Sequence, residues 1–139
     1  QQSGQLAEAE QAYQAALQNN PTYLEPRINL AAIQNQQGKQ KEAIENLEFA
    51  RQLDPNNRAM LHTLGDAYVK IKRYDDAIRI LNQLAARDPK HPYAFTNLGL
   101  AYEGKGDTAT AKTNFQKAIE VAPTEQLTNI AREHLAKLK

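Results

Sequence analysis

The chain has no cysteine among its 139 residues, which removes disulfides, thiolate metal sites and cysteine nucleophiles together. A cysteine-free chain suits a reducing or an oxidising compartment equally, so localisation stays open. No stretch approaches the roughly eighteen apolar residues that span a bilayer. Gln1, Gln2, Ser3 and Gly4 offer neither a basic n-region nor an apolar h-region, so no membrane insertion and no targeting segment are expected. Charge of one sign is also lacking: 17 Lys and Arg face 16 Asp and Glu, a formal charge of +1. No basic patch marks a nucleic-acid binder, and no Gly-rich phosphate loop follows a strand. The 41% hydrophobic and 24% charged residues predict one folded domain. Gln and Asn are frequent but scattered at helical positions, not gathered in tracts.

What is present is a period. Proline stands at 21, 55, 89 and 123, and alanine at 9, 43, 77 and 111, each step being 34 residues. In the same register stand Gly4, Gly38 and Gly106; Tyr13, Leu47, Leu81 and Phe115; Ala16, Ala50, Leu84 and Ala118; and Leu30, Leu64 and Leu98. Small residues follow those leucines as Ala31, Gly65 and Gly99, and three positions later come Gln34, Tyr68 and Tyr102. A fixed period of this length decides the architecture before any local reading.

Each period divides into two amphipathic helices. From Arg58 to Ile71 the residues Leu61, Leu64, Ala67, Tyr68 and Ile71 recur at spacings of three and four, forming one stripe; this is helix A. From Tyr74 to Arg87, the residues Ala77, Ile78, Leu81, Leu84 and Ala85 form the stripe of helix B. Gly65 and Gly99 lie inside A helices, where glycine costs about 1 kcal/mol against alanine, so close packing is expected to require them. Gly38 and Gly106 fall at the A-to-B turn, where glycine tolerates a positive φ, and Asp107 is placed to cap the following helix. The prolines disfavour helix at Asn20, Asp54, Asp88 and Ala122, so each B helix should end there.

The string Leu64-Gly65-x-x-Tyr68 with Ala77, Leu81 and Pro89, and Leu98-Gly99-x-x-Tyr102 with Gly106, Ala111, Phe115, Ala118 and Pro123, resembles the tetratricopeptide repeat. The resemblance implies an all-α, right-handed α-solenoid of helix-turn-helix repeats. It covers the whole chain as a half repeat (1–23), three full repeats (24–57, 58–91 and 92–125) and a capping helix (126–139). Arg27 stands where the family has a bulky aromatic, Lys72 replaces the turn glycine and Leu84 replaces a small alanine. The start in mid-repeat suggests a fragment whose first A helix lies upstream, leaving Leu6, Ala9, Tyr13 and Ala16 partly uncovered. Arg132 and Glu133 on the last helix fit a solvated cap.

The resemblance also implies that A helices line a concave groove, and that partner contacts come from A-helix positions facing away from the intra-repeat core. By register these are Glu25, Asn29, Ala32 and Gln36; Ala59, His62, Thr63, Asp66 and Lys70; and Tyr93, Asn97, Leu100 and Glu103, with Leu127, Ile130 and His134 extending the row. Asn29 and Asn97 share a register with Thr63 between them, and an amide both donates and accepts, which suits a peptide backbone; ordinary solvated residues are the alternative. Tyr93 is the anchor candidate, with a rigid apolar face and a polar tip, or it packs on the preceding repeat. Chaperone-binding relatives resemble one another in a clamp of Lys and Asn, then Asn, then Lys and Arg, on successive A helices. Here those positions hold Ile28 and Ala32, Thr63, then Tyr93 and Asn97, or, one repeat along, His62 and Asp66, Asn97, then Leu127 and Ala131. The missing cations argue against a chaperone C-terminal tail as ligand.

Catalytic chemistry finds little support. His62 and Asp66 are four apart on one helix face and read as a surface pair, since no third ligand or nucleophile stands in register. Asp75 and Asp76 fit the first turn of a B helix, where carboxylates favour the dipole. No cofactor and no metal are expected. The reading is a protein–protein interaction scaffold binding a peptide or partner segment in the groove, with self-assembly through exposed faces at the solenoid ends as the alternative.

Overall fold

In a computed structural model of the chain, residues 2–122 and 124–138 are described, residues 2, 3, 125 and 127 by backbone alone. Among the described residues the order is α1 (Gln2–Asn19), α2 (Leu24–Gln36), α3 (Gln40–Leu53), α4 (Arg58–Lys70), α5 (Tyr74–Arg87), α6 (Pro92–Gly104), α7 (Thr108–Val121), a 3-10 turn (Glu125–Thr128) and α8 (Asn129–Lys137), with no strand. No helix there is long and apolar enough to cross a membrane.

The turn chemistry acts as the sequence predicts. Helices α3 and α5 end just before Asp54 and Asp88, whose backbones leave the helical region at φ −148°, ψ 89° and φ −136°, ψ 83°. The ring of the following proline disfavours the helical region for each of them. Ala122 is extended, while its neighbour Pro123 lies outside the described residues. Asn57, His91 and Asp107 cap α4, α6 and α7, each side chain accepting a backbone N–H from the third residue on.

The A-to-B turns close on one pattern. The N–H groups of Lys39, Arg73 and Asp107 donate to the carbonyls of Gln34, Tyr68 and Tyr102 at 2.8, 2.9 and 2.9 Å, which places the preceding residue in the left-handed region. Gly38 and Gly106 take φ 81° and 88°, and Lys72 takes φ 65°. The lysine therefore adopts, at a steric cost, a conformation open to glycine.

Packing gives the solenoid. Helices pair as α2–α3, α4–α5 and α6–α7, and α3 and α5 also pack on α4 and α6. The A helices α2, α4 and α6 touch in series, whereas α3, α5 and α7 do not touch one another. The stack is thus tighter along its A side, which is concave. Fully buried Leu47, Leu61, Leu64, Ile80, Leu81 and Leu84 form the central core, each stabilising by about 1.5–3 kcal/mol through removal from water. A second cluster, Ala111, Phe115, Ala118 and Ala131, seats α8 on α7, while Arg132 and Glu133 face solvent.

The departures from the repeat pattern are absorbed locally. Arg27 lies 3.9 Å over the Phe49 ring, and its guanidinium donates to Asn46 Oδ1 at 2.9 Å and to the Pro21 carbonyl at 2.7 Å. A planar cation thereby covers an aromatic neighbour. Leu84 is fully buried. On α1, Leu6, Ala9, Tyr13 and Ala16 are only partly buried.

Candidate functional groove

The concave side of α2, α4 and α6 carries a cavity of about 360 Å³ lined by Ala32, Asn35, Gln36, His62, Thr63, Asp66, Lys70, Tyr93, Thr96, Asn97 and Ile130. It brings together Gln36, His62, Thr63, Asp66, Lys70, Tyr93 and Asn97 from the sequence reading. Ile130 reaches it from α8. Glu25, Asn29 and Ala59 belong to a separate cavity of about 380 Å³ nearer the N-terminus, together with Tyr23, Leu24, Ile28 and Asn57.

Three predicted residues, Leu100, Glu103 and His134, fall outside both. Leu100 is partly buried against the cluster that seats α8. Glu103 accepts from, or pairs with, His134 Nδ1 at 2.6 Å, and so faces α8. The physical reason is register: Gln36 and Lys70 are followed, 34 residues on, by Gly104 and not by Glu103. The row of Glu103 contains Asn35, which lines the cavity and donates to Asp66, and Val69, which packs against the core, so the register alone does not decide which members of this row open on the groove. Leu127 has no described side chain.

The groove neutralises itself. Asp66 accepts from Asn35 Nδ2 at 2.7 Å and pairs with Lys70 Nζ at 3.0 Å. His62 makes no hydrogen bond to Asp66 through its buried Nδ1, although the carboxylate still acts on the imidazole through space. Its ring instead lies 5.2 Å from that of His91 and 5.7 Å from that of Tyr93, between centroids, with 6.2 Å from His91 to Tyr93. Burial, then the nearby His91, holds His62 below the ordinary imidazole value. Burial does the same for His91, whose Nδ1 accepts the Ala94 N–H at 3.2 Å to cap α6. Tyr93 both packs on the preceding repeat and remains 41% exposed.

The floor is polar and buried, with Asn35, Thr63, Thr96 and Asn97 between 3% and 8% exposed. Thr96 and the meeting of His62 with His91 escaped the sequence reading. Thr96 stands in the row of His62 and Ile130, so the period could have supplied it. His91 stands in the N-cap row of Asn57, and only the packing of neighbouring A helices reveals its contact with His62.

Among the described residues no three His, Cys, Asp or Glu side chains gather to hold a metal. Asp75 and Asp76, the apparent acid pair, are engaged elsewhere: Asp76 with Arg73 and Arg79 at 2.7 and 3.1 Å, and Asp75 with Lys105 of the next repeat. The arrangement can donate and accept hydrogen bonds along a groove of near-zero net charge, with one exposed aromatic ring at its rim.

Fold and groove together define a helix-turn-helix solenoid with a polar concave face. The family model of the tetratricopeptide repeat matches residues 1–45, 35–97 and 92–125; the chain belongs to the tetratricopeptide repeat family. It is 38% identical over 72 residues to a peroxisomal targeting signal receptor of Komagataella phaffii, a match covering 52% of this chain and 12% of that protein. It is 26% identical over 123 residues to Hsp70-Hsp90 organizing protein 2 of Arabidopsis thaliana, covering 87% and 21%. The match thus spans no more than about a fifth of either relative. Among solved structures, MamA from Desulfovibrio magneticus RS-1 superposes with TM-score 0.82 at 23% identity, covering 99% of this chain and 85% of that one. The first TPR of Spaghetti (RPAP3), bound to the HSP90 peptide SRMEEVD, superposes with TM-score 0.74 at 22% identity, covering 81% and 86%. These two likenesses establish the shared fold.

Proposed function

We propose that the chain is a protein-interaction scaffold, not an enzyme, and that its concave groove takes an extended or helical segment of a partner protein. The observation that carries this reading is the cavity across α2, α4 and α6, whose one carboxylate and one ammonium already satisfy each other. What it leaves for a partner is amide, hydroxyl and aromatic surface, which suits a segment of modest polarity. The relatives named as a receptor for a targeting signal and as an organizer of two chaperones support binding of a polypeptide. They do not carry the ligand over. Where chaperone-binding relatives place the cations of their clamp, this chain has buried Ile28, exposed Tyr93 and buried Asn97, and where they place its asparagines it has partly buried Ala32 and buried Thr63, so an acidic chaperone tail would find no partner charges at those positions.

The test is selection of binders from a random peptide library, followed by NMR mapping on the folded chain. Binders should shift the signals of Gln36, His62, Asp66 and Tyr93, and Tyr93→Ala should weaken them about tenfold or more, as truncation of an aromatic anchor does. Shifts confined to the outer faces of α3, α5 and α7 would refute the groove. Self-association is the second reading, favoured by the partly exposed apolar side chains of α1. Light scattering that finds a monomer at high concentration would remove it.

A further inference from the structure

We propose that His62 and His91 form a proton-operated latch on this groove: neutral, they hold the α4–α6 junction around Tyr93, and protonated, they release it and weaken partner binding. The regulation rests on the groove reading.

His91 caps α6 through Nδ1, which accepts the Ala94 N–H at 3.2 Å. A proton placed on that nitrogen turns the acceptor into a donor facing a donor and sets a cation at a helix N-terminus, where the dipole opposes it. One repeat earlier the same cap is made by Asn57, whose Oδ1 accepts from Met60 at 3.0 Å and has no proton to gain. Helix α6 is thus capped by a titratable group where α4 is not.

The cap is joined to the groove through ring contacts. His91, His62 and Tyr93 close a triangle with centroids 5.2 to 6.2 Å apart, so movement of His91 is felt at Tyr93. The Nδ1 of His62 is buried without a hydrogen-bond partner, and a proton there would meet no acceptor.

The surrounding charges are already committed. On α4, Asp66 is held by Asn35 and Lys70, and Arg58 pairs at 3.5 Å with Asp88 at the end of α5. The groove-facing residues of α2, α6 and α8, namely Ala32, Asn35, Gln36, Tyr93, Thr96, Asn97 and Ile130, carry no carboxylate; Asp66 near His62 and Asp88 near His91 do favour an imidazolium, but burial outweighs them. Both imidazoles are held below their ordinary value. The folded chain therefore binds fewer protons there than the unfolded one. The stability of the neutral pair is complete above about pH 6.5 and is lost as pH falls below it, toward the lowered folded values.

The experiment follows the folded chain by NMR from about pH 7.5 to 5.0, spanning the imidazole range, with His91→Asn beside the wild type. In the wild type, the Tyr93 ring and the Ala94 amide should move with the His91 titration. In His91→Asn, which keeps a competent cap, the Ala94 amide should stay still and any Tyr93 shift that remains should follow His62, whose ring is 5.7 Å away. A peptide selected as above should lose about tenfold in affinity across that range in the wild type, one pK unit of coupling, and markedly less in the variant. Tyr93 and Ala94 signals that stay fixed while His91 titrates would overturn the latch, as would an equal loss of affinity in both proteins. Peptide affinity independent of pH would overturn the latch and leave the groove reading standing. If no peptide binds, the groove reading fails and the NMR titration alone decides whether the junction opens.

Discussion

Gly99→Ala isolates a close approach between a helix and its partner. A Cβ added at Gly99 would lie 2.4 Å from Phe115 Cε1, 2.5 Å from Cδ1 and 2.8 Å from Cζ, where carbon atoms prefer roughly 3.5–4.0 Å. Phe115 is fully buried, so its ring cannot swing into solvent, and either the ring or all of α7 must shift. Alanine in place of glycine gains about 1 kcal/mol of helix propensity. Overpacking a filled core costs about 1–3 kcal/mol, and three ring atoms in collision put this site at the upper end. The net loss is then about 1–2 kcal/mol, or roughly 3–8 °C in Tm for a chain of this size. Urea unfolding followed by circular dichroism should show a lower midpoint at an unchanged m value. The cycle with Phe115→Ala isolates the contact: with the ring removed, Gly99→Ala should become stabilising by up to about 1 kcal/mol, a coupling of about 1–3 kcal/mol. An added methyl that stabilises the wild-type chain, or that has the same effect in both backgrounds, refutes the close-approach account.

Lys72→Gly should stabilise, because the turn holds Lys72 at φ 65°; a left-handed non-glycine residue costs about 1–2 kcal/mol, offset by about 0.5–1 kcal/mol of extra freedom in unfolded glycine. A rise of a few degrees in Tm is expected, and no rise would show the turn to be unstrained. Tyr68 donates to Glu48 Oε2 at 2.5 Å across the repeat boundary, and burial together with that bond pushes its phenol up to about 12. Its raised value adds stability that is whole below about pH 10 and is lost as pH rises toward 12. Tyr68→Phe should cost about 1–2 kcal/mol at neutral pH and flatten the alkaline limb of chemical denaturation; an unchanged limb would place the loss in another group. Arg27→Lys should destabilise by about 1–2 kcal/mol despite conserving charge, since an ammonium cannot both stack on Phe49 and make two forked bonds; thermal melting equal to wild type would remove the stacking from the account.

The period made the fold legible, because one constraint recurs in every repeat. A glycine opposite Leu81 or Phe115, a proline after each B helix and a left-handed residue at each A-to-B turn are local requirements, and local requirements leave marks at fixed offsets. Lys72 demonstrates this from the other side: its residue type argues against a left-handed φ, yet the turn bonds flanking it impose one. Gly104 went unread because its reason lies across the repeat boundary, where an added Cβ would come within 2.2 Å of the Tyr74 ring.

The groove was legible only as a direction. Register states which face of an A helix points inward, but the neighbouring helix decides whether a side chain on that face is open or sealed. Asp66 and Leu100 share a row, yet Asp66 opens on the cavity while Leu100 packs into the cluster that seats α8. His62 and Thr96 share another, with different chemistry at each step. A repeat fold conserves what every unit needs to stack, so its period reports on stacking. Recognition depends on where successive units differ, and those differences acquire meaning only when the stack sets His62 of one repeat against His91 and Tyr93 at the start of the next A helix.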